Sequence, residues 1–87
     1  MYVILVYDFG EKRVNKMLKL CRKYLHWIQN SVFEGEITEV RMKDRLMLAK
    51  KFMDKQSDSI IIFSSEFQNG MNKRIIGCER SVLDNIL

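Results

Sequence analysis

The sequence predicts an α+β domain of the split βαβ, ferredoxin-like type, an antiparallel sheet with two helices on one face. Three observations carry this. Two short runs, residues 2–8 (YVILVYD) and 59–64 (SIIIFS), are apolar on both faces and read as adjacent central strands. Residues 11–25 and 39–55 repeat apolar side chains at helical spacing. Residues 26–37 have extended character broken by a turn signal, so the order is strand, helix, two strands, helix, strand, with a fifth short strand appended.

The first strand ends in Asp8. A carboxylate at the mouth of a buried strand loses much of its hydration and needs a hydrogen-bond donor, a basic partner or a cation close by. Gly10 allows a sharp turn just beyond it, leaving the acid at an element junction. In the first helix Val14, Met17, Leu18, Cys21 and Leu25 form the apolar stripe, with Glu11 suited to its N-terminal end and Arg22 and Lys23 to the other. In HWIQNSVFEGEI, Asn30-Ser31 predicts a tight turn or bulge between two strands. Thr38 is placed to cap the second helix, whose stripe is Met42, Leu46, Ala49, Phe52 and Met53, and Gln56-Ser57-Asp58 breaks it. Gln68-Asn69-Gly70 is a turn, and residues 73–77 (KRIIG) give the fifth strand. Residues 1–78 make the domain. The tail, 79–87, keeps Val82, Leu83, Ile86 and Leu87 apolar and is expected to dock on a partner subunit.

Eighty-seven residues make one domain, near the lower end of what buries a core without staples. Burial at roughly 25 cal/mol per Å² nearly cancels chain entropy at this size, so an apolar surface shared with a second copy is a reasonable expectation. Cys21 and Cys78 form no CxxC or Cys/His cluster, which argues for reduced thiols over a disulfide or zinc framework. No signal peptide or membrane span is expected, since the chain starts directly on its first strand and no apolar run approaches the roughly 20 residues of a span. The expected location is cytoplasmic. The net charge of +4 is unevenly spread. Residues 12–31 hold Lys12, Arg13, Lys16, Lys19, Arg22 and Lys23 and no acid. Such a block suggests a phosphate-bearing partner, with a solvated helix face as the alternative.

Magnesium usually takes one or two protein carboxylates, water filling the remaining positions. One Asp per chain is thin for that, but two copies of Asp8 across a two-fold axis would supply two. At about 5 Å they would repel by roughly 3 kcal/mol at an effective dielectric of about 20 unless a cation or proton sat between them. The alternatives are that Asp8 caps the following helix or pairs with Arg13. His26 reads as a packed or terminus-stabilising residue, and Ser31, Ser64 and Ser65 have no triad partners. Tyr7, Trp27 and Phe33 could stack on bases, with a core role as the default for each.

YVILVYD, then KRVNKMLKLCRKYL, WIQNSVFEGEI, a charged second helix, SIIIF and RIIG together resemble the second family of CRISPR-associated proteins, the small dimeric partner of the adaptation integrase. The resemblance runs from Tyr2 to about Gly77. It implies a ferredoxin-like homodimer in which Asp8 of each chain approaches its mate and binds magnesium. It further implies metal-dependent endonuclease activity on single-stranded RNA or duplex DNA, and a bridging role between two integrase dimers during spacer integration that requires no cutting. Asp8 is thus the expected catalytic and metal residue, with Lys12, Arg13 and Lys16 for nucleic-acid contact. Tyr7, Arg13, Ser31 and Phe33 fall on the motif positions nearest the metal-site residue. Where relatives often place an arginine two residues before the Gln, this chain has Trp27. The tail is similar to segments that add a strand to the other subunit's sheet. A non-catalytic DNA scaffold and a toxin-like ribonuclease of the same fold are the competing readings.

Overall fold

The structure is a computed structural model and describes residues 1–66 and 70–78. Its elements are β1 (Tyr2–Asp8), α1 (Glu11–Arg22), β2 (His26–Gln29), β3 (Val32–Glu36), α2 (Glu39–Phe52), β4 (Ser59–Glu66) and β5 (Gly70–Gly77). They form one five-stranded sheet in the order β2-β3-β1-β4-β5, every neighbouring pair antiparallel. The two most apolar strands, β1 and β4, do lie side by side. The fold is therefore the ferredoxin-like βαββαβ arrangement extended by β5.

Alternation along β1 divides its side chains between the two faces. Val3, Leu5 and Tyr7 are buried in one cluster with Met17 and Cys21 of α1 and Met42, Leu46 and Ala49 of α2, so both helices cover the same side of the sheet. Ile4, Val6 and Asp8 point to the other side. There Ile4 lies between Glu34 and Phe63, and Val6 between Val32 and Ile61. This face is apolar at its centre, and no described element packs on it.

Three boundaries differ from the periodicity. α1 stops at Arg22, because the N–H groups of Lys23 and Tyr24 turn to the carbonyls of Leu20 and Cys21; Leu25 keeps the apolar period from outside the helix. α2 stops at Phe52 with Met53 extended, and the Asp54 N–H goes to the Asp58 side chain. β5 begins at Gly70, three residues early, since the register of the β4–β5 pair runs unbroken from Ser59↔Gly77 to Glu66↔Gly70. Thr38 caps α2 as expected, its hydroxyl accepting from the Arg41 N–H at 3.2 Å. Residues 68 and 69 of the expected turn, and the tail 79–87, lie outside the described residues. None of the described helices is long and apolar enough to cross a membrane.

Candidate nucleic-acid and metal site

Asp8 is the last residue of β1 and is exposed. Its position opposite Ser59 fixes it at the strand ends, and the β1 alternation turns it to the face away from the helices. The β2–β3 turn abuts it: Ser31 accepts a backbone hydrogen bond from the Tyr7 N–H at 3.1 Å.

Tyr7 and Phe33 are core residues, as the default reading had them. Their rings stack at 6.1 Å with an interplanar angle of 23°, and Phe9 meets Tyr7 edge-on at 5.7 Å. Burial pushes the Tyr7 phenol pKa up, while a side-chain hydrogen bond with Ser31 and the charge of Arg22 pull it back. The expected trio Tyr7, Ser31 and Phe33 is therefore assembled immediately behind Asp8. Trp27 departs from the core default. It is 55% exposed, on an edge strand whose four residues all face solvent.

The feature that sequence reasoning missed is Asp58. Its side chain is fully buried and accepts four hydrogen bonds. Oδ1 takes the Gly10 N–H at 2.9 Å and Arg13 Nη2 at 3.1 Å. Oδ2 takes Arg13 Nε at 2.5 Å and the Asp54 N–H at 2.8 Å. The Arg13 guanidinium, and then the two backbone donors, overcome the desolvation penalty and hold the carboxyl at about 2. One carboxylate thus ties the start of α1 and the residues after α2 to the start of β4, on the residue before Asp8's strand partner. A Cβ at Gly10 would stand 2.6 Å from Arg13 Nη2, so a side chain there would displace the end of the guanidinium. Only the acid-before-strand pattern at Asp58 hinted at the clamp, and its partners are 45 and 48 residues away.

Of the candidate phosphate contacts, Arg13 is thus engaged inside the protein. Lys12 and Lys16 are exposed on α1. With Lys19 and Lys23 they follow one stripe at i, i+4, i+7 and i+11, opposite the buried Met17 and Cys21. The Lys16 ammonium lies 5.9 Å from the centre of the Phe52 ring. Among the described residues, no three His, Cys, Asp or Glu side chains gather as a metal site within one chain.

Fold and site together define a small ferredoxin-like domain with an acid at the mouth of its first strand and a basic first helix. The model of the CRISPR associated protein Cas2 family matches residues 1–71, and the chain belongs to that family. Among its relatives, the CRISPR-associated endoribonuclease Cas2 of Methanothermobacter thermautotrophicus is 43% identical over 99% of this chain and 94% of that protein. One from Thermodesulfovibrio yellowstonii is also 43% identical, over 99% and 98%. The crystal structure of Streptococcus pyogenes Cas2 superposes with a TM-score of 0.69 at 30% identity, over 78% of this chain and 89% of that one.

Proposed function

We propose that this chain is a CRISPR adaptation protein that acts as a homodimeric, magnesium-dependent endonuclease on phosphodiesters of single-stranded RNA or duplex DNA, and that it joins integrase dimers during spacer integration. The observation that carries the reading is the placement of Asp8: exposed, at the end of β1, on the sheet face that no described element covers. Two copies meeting through that face would bury Ile4, Val6, Ile61 and Phe63 and bring two Asp8 carboxylates together. One or two carboxylates suffice for magnesium, so the Asp8 pair fits the ion although no three such ligands gather among the described residues of one chain. Bound there, magnesium would supply Lewis-acid activation of water and neutralise charge growing on the scissile phosphate. Asp58 and Arg13 hold the turn behind Asp8, while Lys12 and Lys16 meet the phosphate backbone. The names of the relatives favour RNA as the substrate.

The test is Asp8→Ala. Magnesium-dependent cleavage of single-stranded RNA and of duplex DNA should both vanish, while circular dichroism and sedimentation are those of the parent dimer; undiminished cleavage removes Asp8 from the chemistry.

A second reading, a scaffold that holds duplex DNA without cutting it, is favoured by the lysine stripe on the outer side of α1. Affinity should then fall with salt at a log–log slope of about −0.9 per neutralised phosphate. Spacer acquisition by the Asp8→Ala protein separates the two, since a scaffold keeps working and a required nuclease does not.

A further inference from the structure

Trp27 and Ile28 are 55% and 43% exposed on β2, an edge strand of the sheet. Leaving a large aromatic ring in water forgoes the hydrophobic gain of burying it. The indole is also fixed. Its Nε1–H donates to the Asn30 carbonyl at 2.9 Å, and Asn30 holds a left-handed φ of +45° that shapes the turn around that bond.

The turn leads straight to the candidate site. Ser31 bonds Tyr7 through both backbone and side chain, and Asp8 follows Tyr7. On the other flank, α1 ends in exposed Arg22, whose charge reaches the Tyr7 hydroxyl, whereas Lys23 lines a cleft with Met1, Glu36 and Thr38 at the opposite end of β1. Residues 12–31 contain no acid. A flat, water-facing ring, oriented by its bond to Asn30, therefore stands at the turn that abuts the segment carrying Asp8.

We propose that Trp27 is a stacking platform for an unpaired nucleobase, so that the protein binds single-stranded nucleic acid in preference to duplex. The inference rests on the nuclease reading for the identity of the ligand and goes beyond it in naming a residue that selects the strand state. The bases of a duplex are already stacked on one another and cannot offer a face to the ring, whereas any unpaired base can, whatever its identity. Because the Nε1–H bond sets the ring before binding, little side-chain freedom is lost on stacking. Arginine in the same place would contact phosphate in either strand state.

Trp27 is the only tryptophan, so its fluorescence reports this surface alone. The full chain carrying Asp8→Ala is titrated with a short single-stranded oligouridylate and with a duplex DNA of the same length. Saturable quenching by the single strand, without quenching by the duplex, is expected. Trp27→Ala should weaken single-strand affinity by roughly 5- to 150-fold, the range of one lost base stack, and leave duplex affinity unchanged; Trp27→Tyr should recover most of the loss. Single-strand affinity in Trp27→Ala equal to that of the parent overturns the proposal, as does an equal loss on the duplex. If the wild-type chain cleaves nothing while the quenching persists, the nuclease reading falls and the stacking site stands. If it cleaves RNA but the single strand leaves the fluorescence unmoved, the stacking site falls and the nuclease reading stands.

Discussion

Replacing Asp58 by Asn tests the clamp with almost no change in shape. Both carboxylate oxygens accept two donors each, so whichever oxygen becomes an NH₂ group faces two N–H donors, and two of the four hydrogen bonds are lost. The charge opposite Arg13 goes with them. Breaking a buried pair costs about 3–5 kcal/mol, and the 27% exposure of the Arg13 side chain lets water relieve part of it, so about 3 kcal/mol is the expected loss. The pKa gives the same order independently: lowering the carboxyl from 3.8 to about 2 corresponds to ~2 kcal/mol. A domain of this size loses about 4–8 °C per kcal/mol, so thermal melts at one protein concentration and neutral pH should show Asp58→Asn melting roughly 12–24 °C below the parent. The folded pKa is depressed, so this stability is present above the unfolded value of 3.8 and is lost as pH falls through about 2. The gap between variant and parent should therefore be constant above about pH 5 and close between pH 4 and pH 2. Melts that coincide at neutral pH, or a gap that does not change on acidification, would show that the four contacts do not hold the turn.

Two further outcomes follow from local geometry. Cys21 is buried and its thiol is pushed up to about 12 by desolvation, so alkylation of the native protein at neutral pH should leave Cys21 unmodified until denaturant is added, as read by peptide mass mapping. Gly77 has φ +91° and a Cβ there would collide with the Asp58 carbonyl, so Gly77→Ala should destabilise by about 1–3 kcal/mol, seen as a lower urea midpoint at unchanged slope.

The fold was readable because it rests on local patterns. The double-faced apolarity of β1 and β4, the 3.6-residue stripes of α1 and α2 and the Asn30-Ser31 turn each sit within a short window, and each produced its element. Helix ends were less readable, because Leu25 and Met53 lie past the last helical residues yet keep their side chains buried and their N–H groups bonded to the carbonyls of Cys21 and Ala49. At the site, Asp8 was legible as an acid at the end of a buried strand, and Tyr7 and Phe33 as packing residues. Asp58 was not, since apart from the nearby Asp54 N–H its partners come from the start of α1 and only the folded sheet brings them together. Trp27 was misjudged for a related reason. Composition says an indole belongs inside, and only the strand order reveals that β2 is an edge.

The two aspartates also redistribute the work of the basic block. The guanidinium fork that Arg13 could turn to a phosphate is engaged by Asp58, so a loss of activity on changing Arg13 would report a displaced turn behind Asp8. In the proposed complex, phosphate contact would then fall to Lys12 and Lys16. These lie on the helical side of the sheet, whereas Asp8 faces the other side. A nucleic acid touching both must round the end of the sheet where β1 gives way to α1. Duplex DNA, with a persistence length of about 50 nm, resists so tight a corner, while a single strand turns it freely. The β2–β3 turn and the ring of Trp27 stand at that corner, which is where a strand changing direction would have a base unstacked and ready to be held.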